Sequence, residues 1–182
     1  MAEVTQYETD VAIVGAGGAG MAAGIEALDA GARVIAFEKS AEPGGAAKIS
    51  GGGCLIVGSP FQKKNGVQDT PDLAFKDWLE WGGPSTDAVW ARYYIEHSLH
   101  DLYHWAEGFG VKWVDLKLQE GNSVPRWTKS GGNGDGLMTG LIEGYRNKGG
   151  EIVPETAITR LTVEDGRVTG FEGRKVATGE PV

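Results

Sequence analysis

Three glycines and one acid define the chemistry open to this sequence. Gly15, Gly17 and Gly20 stand as Gly-x-Gly-x-x-Gly, and Glu38 follows 23 positions after Gly15. This spacing suits a nucleotide pyrophosphate. Gly15 permits a tight turn, Gly17 lets backbone approach a phosphate with no Cβ in the way, and Gly20 lets a helix pack closely on the preceding strand. The first N–H groups of that helix have no intrahelical acceptor and lie at the positive end of its dipole, so they favour an anion. An acid at the position of Glu38 accepts hydrogen bonds from ribose hydroxyls. The expected contacts are Gly15, Ala16, Gly17, Gly18, Ala19, Gly20 and Glu38.

The elements that must position these residues are legible around them. Val11–Val14 reads as a buried strand, Met21–Ala30 as a small-residue helix closed by Gly31, and Arg33–Phe37 as a second strand with Glu38 at its carboxyl end. Together they form a βαβ unit. The preceding strand, the following helix and the terminal acid separate this pattern from a chance glycine-rich turn.

Composition narrows the classes. The 182 residues fit one domain or one with an insertion. The 30 glycines are about twice the usual share and cluster at 15–20, 44–53, 131–136 and 149–150, which marks loops that approach something closely. A net charge of −8 argues against a nucleic-acid groove, which needs clustered Lys and Arg. Cys54 is the only cysteine, so neither a disulfide framework nor a Cys-x-x-Cys metal site is expected. The polar start and the lack of a long apolar run predict a cytoplasmic protein with no membrane span.

After Glu38 come Lys39, the pair Gly44-Gly45, Ala46 and then Ser50-Gly51-Gly52-Gly53. With these the chain resembles the FAD-binding domain of the fumarate reductase and succinate dehydrogenase flavoprotein superfamily. That group includes 3-ketosteroid dehydrogenases and urocanate reductases. The resemblance implies an α/β, Rossmann-like FAD-binding fold: a parallel sheet with a βαβ unit, the start of a β-meander and a helical insertion. It makes Lys39, Gly44, Gly45, Ala46, Ser50, Gly51 and Gly52 contacts of FAD, with Ser50–Gly52 near the isoalloxazine ring. Relatives often carry Ser or Asn where this chain has Ala46. The Gly44–Gly53 loop contains no histidine, which excludes a histidyl–flavin bond there.

The expected domains are 1–59 and 131–182 as two parts of the FAD domain, with 60–130 as a mainly helical insertion. Thr70-Pro71-Asp72 reads as an N-cap, a Pro at N1 and a first-turn acid, opening a helix to about Trp81. Ser85 or Thr86 is expected to cap a second helix, Asp87 to about Glu107. Its apolar face would hold Val89, Tyr93, Leu99, Leu102, Ala106 and Phe109, widened by Trp90, Tyr94 and Trp105, and would serve packing rather than a substrate cage. His97, His100 and His104 share one stripe of that helix. They read as a solvated polar face, not as a metal site.

A short strand is expected at Val111–Asp115. The segment 121–136 resembles the superfamily stretch that carries substrate-facing residues. Where fumarate reductases have His-Arg-Pro-x-Gly-Gly, alignment on Gly131-Gly132 puts Trp127 at the His position, Thr128 at the Arg and Lys129 at the Pro. This points away from a simple dicarboxylate and toward a bulkier or more apolar substrate. Arg126 suits either an anionic or carbonyl group or a surface ion pair. A helix over Leu137–Lys148, then Gly149–Pro154 as the end of that helix and a third parallel strand, and a hairpin with its turn at Glu164-Asp165-Gly166 follow. By resemblance a backbone group near Ala157 bonds the adenine.

The resemblance covers only the amino-terminal third of a typical family member, without the capping domain or the catalytic Arg. The leading reading is an FAD-dependent oxidoreductase that moves a hydride between flavin N5 and an activated C–C bond of a small organic substrate. No catalytic acid is assigned in these residues, and the electron partner is undefined. A second reading is a non-catalytic FAD or nucleotide module, self-associating or completed by a partner chain. A third is an NAD-dependent dehydrogenase, although the Gly44–Gly53 loop has no role in one.

Overall fold

The structure, a computed structural model, describes residues 4–182. In chain order the elements are β1 (Val11–Val14), α1 (Gly18–Asp29), β2 (Val34–Phe37), α2 (Gly45–Ile49), β3 (Gly53–Leu55), α3 (Pro60–Lys64), α4 (Pro71–Gly82) and a 3-10 turn (Gly83–Ser85). Next come α5 (Ala88–His97), a π-helical turn (Ser98–His104), α6 (Trp105–Glu107), β4 (Trp113–Lys117), β5 (Trp127–Ser130), α7 (Asn133–Asn147), β6 (Glu151–Val153), β7 (Thr156–Glu164) and β8 (Arg167–Lys175). The chain divides into two compact units, residues 1–47 with 141–182 and residues 48–140.

The first unit carries a parallel sheet in the order β1-β2-β6. All four residues of the central strand β2 are buried, as a parallel strand covered on both faces requires. β1 is less buried than its apolar run implies. It is an edge of this sheet, its residues alternate in exposure, and Val14 is 58% exposed. Tyr145 of α7 pins the unit together. Its buried hydroxyl lies 3.1 Å from the Val34 carbonyl oxygen and 3.0 Å from that of Glu151, as donor to both sheet strands. A Cβ at Gly24 of α1 would lie 2.6 Å from the Tyr145 ring, so a glycine there lets helix and ring meet. β7 and β8 form the expected antiparallel hairpin, turning through Asp165 and Gly166, both at positive φ as a two-residue hairpin turn demands. Phe171 of β8 packs against Phe37 with ring centroids 4.6 Å apart.

The second unit contains an antiparallel sheet in the order β3-β5-β4, which the sequence reading missed along with the strand character of β3 and β5. β3 and β5 both lie within this unit, which runs from Lys48 to Gly140. α4 starts where expected, with the Thr70 hydroxyl accepting from the Leu73 N–H. The next helix is capped by Asp87, not by Ser85 or Thr86, because residues 83–85 are already wound into the 3-10 turn. Its expected apolar face holds in the second half, where Ala106 is buried and Leu99, Leu102, Trp105 and Phe109 are partly buried, but not in the first half. Ala91 and Ile95 are buried, whereas Val89, Trp90 and Tyr93 are 79%, 68% and 51% exposed. Beyond α5 the π turn buries Ser98 and Tyr103, and Ala106 follows as the buried residue of α6.

Candidate functional site

In the first unit β1 ends at Gly15, whose φ of +96° makes the turn. The Gly15 N–H donates to the Phe37 carbonyl at 2.8 Å, tying the turn to the end of β2. α1 begins immediately, with Gly17 as an N-cap that has no side chain to satisfy the first-turn N–H groups. Glu38, only 6% exposed, sits at the carboxyl end of β2. Its Oε2 accepts from the Ala16 N–H at 2.9 Å and its Oε1 from the Ser40 N–H at 2.8 Å. Burial alone would push this carboxyl's pKa up. The N–H groups of Ser40 and Ala16 outweigh that and hold it below the ordinary value.

The second glycine loop docks on the first. The Gly44 N–H donates to the Ala16 carbonyl at 2.8 Å. Gly15–Gly20, Glu38, Gly44 and Gly45 thus lie together around the start of α1, with Lys39 and Ala46 exposed on the same connecting segment. The start of β7 is fixed to this region as well, since the Thr156 N–H donates to the Glu38 carbonyl at 2.9 Å, one residue before Ala157.

The motif glycines have different reasons to be glycine. A Cβ at Gly20 would lie 2.0 Å from the Gly15 carbonyl oxygen, a collision within the protein. Gly17 has φ −87° and ψ −171°, open to any residue, and an added Cβ would meet only the Gly44 carbonyl at 4.0 Å. Nothing in the protein demands glycine at Gly17. The space above it, flanked by uncapped N–H groups and Glu38, fits the pyrophosphate and ribose of a dinucleotide.

In the second unit the Ser50–Gly53 loop is held by a latch that the sequence reading did not find. The Ser130 N–H donates to the Gly52 carbonyl at 2.9 Å, the Gly134 N–H donates to the Ser50 carbonyl at 3.0 Å, and the buried Ser130 hydroxyl reaches the carbonyls of Gly52 and Asn133 at 3.0 and 2.7 Å. Ser50 Oγ accepts from the Gly52 N–H at 3.1 Å. The Trp127 indole lies flat on this loop, where any Cβ at Gly53 would overlap it. Lys117 Nζ stands 5.7 Å from the centre of that ring.

Arg126 departs from both of its expected roles. It is fully buried, and its guanidinium is committed within the unit. Nε and Nη2 donate to Asp69 at 2.8 and 2.9 Å, and Nη1 donates to Asp77 and, at 3.0 Å, to Asn122. Its side chain has no exposure to solvent. Its acidic partners lie 57 and 49 residues upstream, and no local signal marks them. The histidines pair locally. His97 Nδ1 lies 2.9 Å from Asp101 and His104 Nδ1 3.0 Å from Glu107. Among the described residues no group of three or more His, Cys, Asp or Glu is placed to hold a metal, and no helix is long and apolar enough to cross a membrane.

A turn built this way, ending in an acid at the second strand, defines a dinucleotide-binding protein of the Rossmann class. The family model described as "FAD binding domain" matches residues 10–182, and the chain belongs to that family, with FAD as its cofactor. It is 35% identical over 137 residues to a fumarate reductase (cytochrome) of Shewanella frigidimarina, covering 75% of this chain and 24% of the relative. It is 32% identical over 184 residues to a KsdD-like steroid dehydrogenase of Mycobacterium tuberculosis, covering 90% of this chain and 32% of that one. The crystal structure of 3-ketosteroid-delta4-(5alpha)-dehydrogenase from Rhodococcus jostii superposes with a TM-score of 0.87 at 28% identity, covering 97% of this chain and 44% of that one. The chain therefore spans about a quarter to a third of the length of the curated relatives it matches.

Proposed function

We propose that this chain is the cofactor-holding portion of an FAD-dependent oxidoreductase acting on an activated C–C bond of a small organic substrate. The observation that carries the reading is that a Cβ at Gly17 would meet no protein atom nearer than the Gly44 carbonyl at 4.0 Å, beside the uncapped start of α1 and Glu38. The N–H groups of the first turn of α1 hold the pyrophosphate, Glu38 accepts from the ribose, and Gly15, Ala16, Gly18, Ala19, Gly20, Lys39, Gly44, Gly45, Ala46 and Ala157 complete the contacts. Ser50, Gly51 and Gly52 take the same cofactor role in the second unit. When bound, FAD supplies hydride acceptance and donation. The residues of this chain bind and orient it.

Trp127 supports a substrate that is not a simple dicarboxylate. A flat apolar ring occupies the position that the resemblance gives to a carboxylate-binding histidine, and Arg126 is already committed to two acids.

The test is the absorbance spectrum of the purified protein, with the nucleotide released by acid identified against standards. The expected outcome is a flavin spectrum and released FAD. Gly17→Val is expected to abolish it while leaving the fold intact. A folded Gly17→Val protein that keeps its FAD would overturn this placement of the cofactor.

A further inference from the structure

We propose that a cavity in the second unit, lined by Leu55, Ala74, Asp77, Trp78, Trp81 and Gly121, binds a small organic cation of the alkylammonium class. The inference uses residues 48–140 alone and does not rest on the flavin reading.

The argument begins with charge. Asp69 is fully buried and the Asp77 side chain is 9% exposed, yet one arginine, Arg126, serves both. Two carboxylates and one guanidinium leave a net charge of about −1 inside the unit, and a buried charge is costly until something of opposite sign approaches. Asp69 spends both oxygens, accepting from Arg126, Gln62 and the Thr70 N–H. Asp77 does not. Its Oδ2 accepts from Arg126, the Ser123 N–H and the Ser123 hydroxyl, while among the described residues its Oδ1 accepts no hydrogen bond. This side chain borders the cavity, which has a volume of about 160 Å³.

The rest of the wall suits a cation with an apolar coat. Trp78 and Trp81 present indoles, Leu55 and Ala74 add hydrocarbon, and the exposed Glu120 stands at the rim. Aromatic faces attract ammonium groups through the ring quadrupole, and Trp does so best. Trp81 is 62% exposed but held in place. A Cβ at Gly121, which has φ +81°, would lie 2.5 Å from the Trp81 ring, so glycine there lets the indole lie against the backbone. A volume of this size holds roughly five water-sized groups, enough for a trimethylammonium head. A metal ion would gain little from two indoles, and an anion would meet Asp77.

The test titrates the full chain with choline and with 3,3-dimethylbutan-1-ol, its uncharged carbon isostere. It is read by saturation-transfer NMR at the methyl protons, with sodium chloride matching ionic strength. Saturable choline binding is expected, with the neutral isostere at least about tenfold weaker. Trp81→Leu alters a largely exposed side chain and is expected to weaken choline roughly tenfold with the unfolding midpoint unchanged. Glu120→Gln is expected to cost about two- to threefold. Equal binding of the two isosteres, no saturable choline response below roughly 50 mM, or an unchanged affinity in folded Trp81→Leu would each overturn the proposal.

Discussion

Glu38 couples the proposed cofactor site to the stability of the first unit. Its two oxygens are already engaged by the N–H groups of Ala16 and Ser40, so the acid shapes the turn before any ribose arrives. Because those N–H groups hold its folded pKa below the unfolded value, its contribution to stability is complete above the ordinary carboxylate range. That contribution is lost as pH falls through the folded pKa. Glu38→Gln keeps the shape but loses the charge, and is expected to cost about 2 kcal/mol near neutral pH, the scale of hydrogen bonds to a charged group. Thermal unfolding measured from about pH 6 down to about pH 3 checks this, with the two proteins converging at the acid end. A constant gap across that range would mean that the side chain acts through packing alone.

At the scale of elements, Arg126 shows what local pattern cannot reach. It immediately precedes β5 and ties that end of the strand to Asp77 of α4 and to Asp69 just before that helix. Arg126→Met would leave two buried carboxylates without a counter-charge and is expected to destabilise the protein by about 3–5 kcal/mol in urea unfolding. A surface or substrate-facing arginine would cost far less. The features that could be read in the sequence are those whose causes are adjacent in the chain: the glycine turn, the Thr70 cap and the Asp165-Gly166 hairpin. The features that could not be read arise between distant residues. β3 and β5 are only three and four residues long and gain their identity from pairing with each other. In α5 the buried residue Ile95 packs with Val57 and Ala74, partners 38 and 21 residues away, while Val89, Trp90 and Tyr93 stay exposed.

At the scale of the whole chain, the question is whether this length of polypeptide holds FAD by itself. The contacts assigned to the nucleotide half come from one compact unit, which contains Gly15–Gly20, Glu38, Gly44, Gly45 and Ala157. A ligand that binds only the folded state stabilises it by about 2.7 kcal/mol at one hundred times its Kd. For a chain of this size that corresponds to a rise of roughly 5–10 °C in the unfolding midpoint. FAD is expected to produce such a shift in scanning calorimetry. ADP, which carries the pyrophosphate and ribose that the proposal places at the start of α1 and Glu38, is expected to produce part of it. FMN lacks the adenosine half and is expected to produce much less. A shift from NADH as large as that from FAD would move the assignment to a nicotinamide nucleotide. A shift from ADP with none beyond it from FAD would place the whole of the binding in the first unit and leave Ser50–Gly52 without a cofactor role in this chain. Gly17→Val supplies the control, since filling the space above the turn should remove the ADP and FAD responses together while the midpoint without ligand stays where it was.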